Sequence, residues 1–184
     1  AGSRGGKADV MAATTPAHTT GDRPGDTLPA ETVDAVVIGG GPAGLNGALM
    51  LARSRRAVVV IDGGDPRNAP AAGVHGMLGL DGVPPIDLLR AGRAEVRRYG
   101  GLVVPGEVAS AVPAAPAPGG GPRFTVTLAD GRAVTARRLL VATGLRDELP
   151  EVPGLAEHWG DHVVNCPYCH GWEVRDEPLG VLAV

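Results

Sequence analysis

Short apolar runs alternate with helical patterns along most of the chain. Residues 33–38 and 57–61 are rich in β-branched side chains, and between them residues 42–55 place Ala48, Leu51 and Ala52 at helical spacing. Apolar runs without polar alternation are typical of strands buried on both faces of a parallel sheet. Two such strands joined by a helix predict a βαβ unit with a right-handed crossover.

The pattern after residue 61 is less regular. Residues 62–83 are rich in Gly, Asp and Pro, as in a functional or disordered loop, and include His75, which either lies over a ligand or is solvated. Pro84 and Pro85 then open a second predicted helix. The remaining apolar segments predict strands at 101–104, 107–112, 123–129, 133–136, 139–142 and 179–184, with a hairpin turn at Asp130-Gly131.

Composition narrows the class of protein. Of the 184 residues 43% are hydrophobic and 3% aromatic, so the chain is globular with a core of Ala, Val and Leu. Residues 1–31 are small, polar and without periodicity, which predicts a disordered tail. A net charge of −3 predicts no nucleic-acid partner, and the absence of long apolar runs predicts no membrane span and a cytoplasmic location.

A glycine-rich turn, GGGPAG at 39–44, links the first predicted strand to the first predicted helix, and Asp62 ends the next strand. This is the G-x-G-x-x-G pattern in the context of a dinucleotide-binding turn. The first glycine allows the tight turn, the second lets a pyrophosphate approach, and the third lets helix and strand pack closely. The N-terminus of the helix attracts phosphate, and the Asp62 carboxylate accepts hydrogen bonds from ribose hydroxyls. The predicted cofactor-binding residues here are Gly39, Gly41, Pro42, Ala43, Gly44 and Asp62.

The only two cysteines lie in NCPYCHGW, residues 165–172. A glutaredoxin fold needs most of its chain after C-x-x-C, and few residues follow Cys169. A C-x-x-C-H haem site is typical of exported proteins and usually needs a second axial ligand, yet the chain lacks an export signal. His158, His162, Cys166 and Cys169 could form a Cys₂His₂ zinc site. Two inert buried cysteines are a further alternative. A redox dithiol is favoured, since a following helix N-terminus would lower the pKa of one thiol.

These motifs together resemble the thioredoxin reductase family of FAD- and NADPH-dependent disulfide reductases. The resemblance covers residues 33–184 and depends on GGGPAG with Asp62, on Ala142-Thr143-Gly144 after a buried strand, and on CPYCHG beyond it. It implies that FAD binds the first glycine loop and the Ala142, Thr143 and Gly144 turn, where the chain leaves the FAD domain. The C-x-x-C would lie in the NADPH domain and face the flavin.

The resemblance also implies roles near the cysteines. Cys169 would be the flavin-proximal thiol and Cys166 the interchange thiol that attacks the substrate disulfide. His170 stands where bacterial thioredoxin reductases have an aspartate acting as acid and base, and a histidine can shuttle protons near neutral pH. This CPYCHG variant resembles the dithiol oxidases of disulfide-containing natural products, so the substrate is either a thioredoxin-like protein or a small-molecule disulfide or dithiol.

The fold class expected is α/β. A Rossmann-like FAD-binding βαβ domain with an antiparallel β-meander would occupy residues 32–148, and residues 149–184 would begin an NAD(P)H-binding domain carrying the C-x-x-C. The family's NADPH loop and its returning FAD segment are not recognisable, which predicts an N-terminal fragment of a flavoprotein oxidoreductase. The resemblance implies a homodimer for the full-length family member. Three functions follow: an NADPH-dependent disulfide reductase, a dithiol oxidase that uses oxygen, or a nucleotide-binding module with a zinc site; no metal is expected in the first two.

Overall fold

The computed structural model describes residues 27–116 and 120–183. Strands and helices alternate in its first half, and an antiparallel meander follows. Two single-turn helices end the described part of the chain. In chain order the elements are β1 (Val33–Ile38), α1 (Pro42–Arg53), β2 (Val58–Asp62), α2 (Pro85–Arg98), β3 (Leu102–Pro105), β4 (Val108–Ala114), β5 (Arg123–Leu128), β6 (Ala133–Val141), α3 (Leu155–His158) and α4 (Pro167–His170).

All six strands belong to one sheet, in the order β3-β2-β1-β6-β5-β4. The pairs β3–β2, β2–β1 and β1–β6 are parallel, whereas β6–β5 and β5–β4 are antiparallel. The expected α/β fold is therefore confirmed, with the meander continuing the parallel sheet through β6. From β1 the chain runs outward to β2 and β3, and it later returns to the other side of β1 as β6. The gap between β1 and β6 is thus the sheet's topological switch point, where ligands of such sheets bind.

The core is divided between the two faces of the sheet, as strand alternation requires. Ala35 and Val37 of β1 belong to a cluster that α1 and α2 cover with Leu45, Ala48 and other apolar residues. Val36, between them in sequence, belongs to the opposite cluster, which contains residues of β2, β3, β5 and β6. Because both faces of the sheet are covered, β1 and β2 consist almost entirely of apolar residues. This explains why the sequence shows apolar runs without polar alternation.

One prediction within the sheet is wrong in detail. The two predicted strands at 133–136 and 139–142 form a single strand of nine residues, β6. Arg137 and Arg138 between them look like an interruption in the sequence, but both side chains are exposed. Arg137 reaches across to Asp34 of β1, with 3.5 Å between Nη1 and Oδ1. Two exposed arginines are therefore compatible with an unbroken ladder, because only part of β6 is covered by the core.

The predicted strand at 179–184 is also wrong over its described residues. Residues 179–183 have no strand conformation. Leu179, Val181 and Leu182 have exposed fractions of 69%, 96% and 56%. An apolar, β-prone segment forms a strand only when a neighbouring strand satisfies its backbone groups. No described strand pairs with this segment, and Val184 lies outside the described residues.

Part of the predicted disordered tail contacts the folded domain. Residues 1–26 lie outside the described ranges, but Leu28 packs against the cluster that contains Val36. Nearby, the Arg123 guanidinium of β5 donates a hydrogen bond of 2.6 Å to the Thr32 hydroxyl. The folded domain therefore begins several residues before β1. Within the described ranges, no helix combines the length and apolar character needed to cross a bilayer.

Candidate functional site

The two glycine-containing turns predicted from sequence meet at the switch point. The Ala142 N–H donates to the Ile38 carbonyl oxygen at 2.8 Å, which brings the ends of β6 and β1 together. Gly39 has φ of 114°, and a Cβ built there would lie 2.2 Å from the Ala142 carbonyl oxygen. A side chain at Gly39 is therefore excluded both by the backbone conformation and by space. The turn after β1 and the Ala142-Thr143-Gly144 turn form one edge of the sheet.

Gly44 and Gly41 are constrained in different ways. A Cβ at Gly44 would lie 1.9 Å from the Gly39 carbonyl oxygen, so only glycine lets α1 approach the end of β1. A Cβ at Gly41 would have no atom within 4 Å. Gly41 also has φ of −75°, which any residue can adopt. Neither packing against the described residues nor conformation requires glycine at 41, which leaves its backbone open to an external group.

The first turn of α1 is suited to an anion. Gly41 is its N-cap, with no side-chain cap hydrogen bond, and no acidic residue lies in the first turn. Pro42 and Ala43 are exposed. The backbone N–H groups at the start of a helix have no partner inside it, and together with the helix dipole they favour negative charge. The residues present thus fit the pyrophosphate of a dinucleotide beside Gly41.

Asp62, at the carboxyl end of β2, packs on the same glycine turn. A Cβ at Gly40 would lie 2.1 Å from the Asp62 Cγ atom. The Gly64 N–H donates to Asp62 Oδ1 at 2.9 Å, and Arg93 Nε donates to Oδ2 at 2.7 Å. The carboxylate therefore lies beside the loop, as predicted, but it also holds an arginine that the sequence analysis missed. The sequence does contain a signal for this arginine. Arg93 follows the buried Leu89 by four residues, which places a charge beside the buried apolar stripe of α2.

Cys166 and Cys169 form a disulfide with 5.3 Å between their Cα atoms. Cys166 is the N-cap of α4, and its carbonyl oxygen accepts from the N–H groups of Cys169 at 3.1 Å and His170 at 3.3 Å. Cys169 is exposed and Cys166 half-buried. The following helix that the sequence predicts is a single turn. The disulfide is therefore part of a tight local turn.

His170 follows Cys169 directly in sequence. Its Nδ1 atom is buried, and it has no hydrogen-bond partner among the described residues. Buried polar atoms are almost always paired, so this nitrogen has an unused capacity for a hydrogen bond. In contrast, the Tyr168 side chain is 96% exposed. His170 is thus the residue beside the cysteines that carries an unpaired buried nitrogen in the described part of the chain.

The zinc alternative is not supported by the arrangement of its four residues. The rings of His158 and His162 lie 5.7 Å apart between centroids. In the disulfide form, both cysteine sulfur atoms are bonded to each other and are not available as thiolate ligands. In the described part of the chain, no three or more His, Cys, Asp or Glu side chains converge on one point.

The long loop after β2 contacts the chain segment that carries the disulfide. Arg67 forms a bidentate ion pair with Asp147, with distances of 2.8 Å and 2.5 Å. A Cβ at Gly160 would lie 3.0 Å from the Cβ of Pro70. Further along, His75 Nε2 lies 3.6 Å from Glu173 Oε1, and His75 Nδ1 lies 3.3 Å from Asp81 Oδ1. These contacts occur in the same order along both segments, so the loop after β2 packs along residues 147–173.

Comparison with known proteins agrees with this geometry. Residues 33–184 match the family described as pyridine nucleotide-disulphide oxidoreductase. The chain is 39% identical over 155 residues to a probable thioredoxin reductase of Arthroderma benhamiae, covering 84% of this chain and 38% of that protein. It is 38% identical over 154 residues to the thioredoxin reductase tcpT of Claviceps purpurea, covering 83% of this chain and 47% of that protein. The chain thus spans less than half the length of these curated relatives.

Solved structures show the same relationship. The crystal structure of HlmI matches with a TM-score of 0.75 and 51% identity, over 80% of this chain and 46% of that one. A putative thioredoxin reductase, TrxB from Bacillus anthracis, matches with a TM-score of 0.72 and 35% identity, over 79% of this chain and 48% of that one. The six-stranded sheet and its helices are therefore similar to the corresponding part of thioredoxin reductases.

Proposed function

The chain belongs to the pyridine nucleotide-disulphide oxidoreductase family, and we propose that it binds FAD and reduces a disulfide substrate through Cys166 and Cys169. In the complete pathway, electrons pass from NADPH through FAD to the Cys166–Cys169 disulfide and then to the substrate. The observation that carries the proposal is this disulfide, closed within a single turn, with His170 next in sequence. Residues 32–148 would form the FAD domain and residues 149–184 the start of the NAD(P)H domain.

The switch point supplies the residues that would hold FAD. Gly41 and the exposed first turn of α1 would bind the pyrophosphate, and Asp62 would accept from ribose hydroxyls. The other residues that line this edge are Gly39, Pro42, Ala43, Gly44, Ala142, Thr143 and Gly144. When bound, FAD supplies the ability to take a hydride from NADPH and to deliver two electrons.

The disulfide exchange at the cysteine pair balances when NADPH supplies two electrons through FAD. Two electrons and two protons convert the Cys166–Cys169 disulfide into two thiols. The Cys166 thiolate attacks one sulfur of the substrate disulfide, which forms a mixed disulfide and releases one substrate thiol after protonation. The Cys169 thiolate then attacks the Cys166 sulfur, releases the second substrate thiol and restores the internal disulfide. His170 would take the proton from the attacking thiol and return it to the leaving thiolate.

The substrate class follows from the relatives and from exposure. The relatives from Arthroderma benhamiae and Claviceps purpurea carry the printed name thioredoxin reductase. Cys166, the proposed attacking residue, is half-buried, and the neighbouring Tyr168 is exposed, which leaves this turn open to a protein disulfide as well as to a small molecule. We therefore propose a thioredoxin-type protein disulfide as the substrate. A small-molecule dithiol oxidised by the same turn, with oxygen as acceptor, is the competing reaction.

A visible absorption titration tests the proposal directly. The purified chain is titrated with FAD, and the bound flavin is then reduced stepwise with dithionite. We expect flavin bands on the protein fraction and a long-wavelength shoulder on partial reduction, absent from Cys169→Ser and retained in Tyr168→Phe. Failure of the wild-type chain to take up FAD would contradict the cofactor assignment. Uptake without any difference between the two variants would contradict the role of the dithiol.

A further inference from the structure

Arg93 lies beside the glycine turn, where it contacts Asp62 at the end of β2. The G-x-G-x-x-G pattern does not include this arginine. Arg93 lies in the middle of α2, and its side chain is 21% exposed, compared with 11% for Asp62. It meets Asp62 through Nε, at 2.7 Å from Oδ2. Neither of its terminal nitrogens, Nη1 and Nη2, makes a hydrogen bond to the described residues. A largely buried guanidinium is thus fixed by one bond and retains donors for another group.

Asp62 is held from three sides. On one side it fills the space beside Gly40, where a Cβ would lie 2.1 Å from the Asp62 Cγ. The Gly64 N–H fixes Oδ1 and the Arg93 Nε–H fixes Oδ2. Each carboxylate oxygen can accept a second hydrogen bond, so both stay able to receive a hydroxyl. The carboxylate is therefore pre-oriented before any ligand arrives, and Arg93 is the only side chain among the described residues that bonds to it.

Charge gives Arg93 a second effect. Asp62 contacts Gly40, the residue directly before Gly41, where we place a pyrophosphate. An uncompensated carboxylate beside a pyrophosphate would repel it, and the repulsion is strong where solvent is partly excluded. The Arg93 guanidinium neutralises this carboxylate without entering the first turn of α1. The same arginine therefore orients the acid and removes its electrostatic penalty.

We propose that Arg93 is a positioning residue for the adenosine diphosphate half of the dinucleotide, which it serves by orienting Asp62 toward the ribose hydroxyls. This rests on the proposed function, because it assumes that a dinucleotide binds the glycine turn. It adds a specificity determinant from α2 that lies outside the βαβ fingerprint. Loss of Arg93 should weaken binding of the nucleotide and also reduce discrimination between ribose and 2′-deoxyribose.

The test uses ADP and 2′-deoxy-ADP as probes, with affinities measured by calorimetry or by competition with FAD. For Arg93→Met we expect ADP affinity to fall about tenfold, in line with losing a hydrogen bond to a charged group. We also expect the preference for ADP over 2′-deoxy-ADP to fall severalfold. A mutation that only loosened the fold would weaken both probes equally and leave that ratio unchanged.

Arg90→Met is the matched control, since Arg90 is an exposed arginine of the same helix that pairs with Asp87. It should leave both affinities and their ratio unchanged. If Arg93→Met fails to fold, Arg93→Lys decides, because a lysine keeps the charge but lacks the Nε–H that donates to Asp62 Oδ2. If a folded Arg93 variant prefers ADP over 2′-deoxy-ADP by the same factor as wild type, the role of Arg93 is overturned. The proposed function is not affected by that result. Wild-type chain that binds neither FAD nor ADP would overturn the proposed function as well.

Discussion

Arg67 and Asp147 join two segments that lie eighty positions apart in sequence, through Nε to Oδ2 at 2.8 Å and Nη2 to Oδ1 at 2.5 Å. Arg67 belongs to the loop after β2, and Asp147 lies three residues after the Gly144 turn. A bidentate pair fixes orientation as well as distance. It therefore sets how the chain leaves the sheet on its way to the disulfide.

The first prediction concerns the protonation of Asp147. Its pKa lies below the ordinary value of 3.8, chiefly because the Arg67 guanidinium donates hydrogen bonds to the carboxylate, while burial acts in the opposite direction. The Trp159 side chain adds a smaller lowering. In Arg67→Met we expect the pKa of Asp147 to rise toward 3.8. A carbon-detected NMR titration of the carboxyl group measures this, and an unchanged pKa would show that the pair does not persist in solution.

The sign of the stability effect follows from the same pKa. Because the folded-state pKa is depressed, the folded protein binds this proton less readily than the unfolded chain does. The stabilisation is therefore present above about pH 4 and is lost as the pH falls through the folded-state pKa of Asp147. Arg67 stays charged throughout, since Asp147 raises its pKa further. The difference in melting temperature between wild type and Arg67→Met should accordingly shrink on acidification.

The second prediction separates two glycines of the same turn. Gly44→Ala places a Cβ against the Gly39 carbonyl oxygen, and we expect a loss of about 1–3 kcal/mol in unfolding free energy. Gly41→Ala meets no protein atom, so its stability should stay within about 0.5 kcal/mol of wild type. FAD affinity, in contrast, should fall at least tenfold in Gly41→Ala, because the methyl group occupies the approach of the pyrophosphate.

Denaturant unfolding and FAD titration on both variants check this. The two variants are controls for each other, since they make the same chemical change three positions apart. Full FAD affinity in Gly41→Ala would mean that no ligand approaches this backbone.

The third prediction concerns His170 as a proton carrier. In the reduced chain, His170→Ala should slow the reaction of the dithiol with dithiodipyridine at pH 7 by about 10²-fold or more, the usual size of general acid–base effects. Stopped-flow absorbance of the released thiopyridone measures the rate. Tyr168→Phe serves as the control, because this exposed side chain lies in the same turn. Equal rates in wild type and His170→Ala would leave His170 as a packing residue.

The fourth prediction contrasts two valines that look alike in sequence. Val59 in β2 is fully buried, whereas Val181 is 96% exposed. Val59→Ala should cost about 2 kcal/mol of unfolding free energy, as cavity-forming changes do. Val181→Ala should change it by less than about 0.5 kcal/mol. Thermal and urea unfolding of both variants decide, and a large effect at Val181 would show that this segment packs in solution.

Elements whose signals are local could be predicted from the sequence. The βαβ unit, the glycine turn and the Asp130-Gly131 hairpin appear where the pattern predicts them, because strand burial, helix initiation and turn conformation are set by neighbouring residues. The family resemblance followed from the order of three short motifs. Residues 39–44 and the cysteine pair were recognisable for the same reason, although their roles stay predictions.

The tertiary structure alone decided what depends on distant partners. β6 is one strand because β1 pairs along it, and residues 179–183 are exposed because no described strand pairs with them. Arg93 reaches Asp62, and Arg67 reaches Asp147, across separations of 31 and 80 residues. No local pattern encodes such pairs, since they arise only when the sheet brings the ends of its strands together. The convergence of Gly39 with Ala142 has the same origin, and it places the candidate site at the switch point.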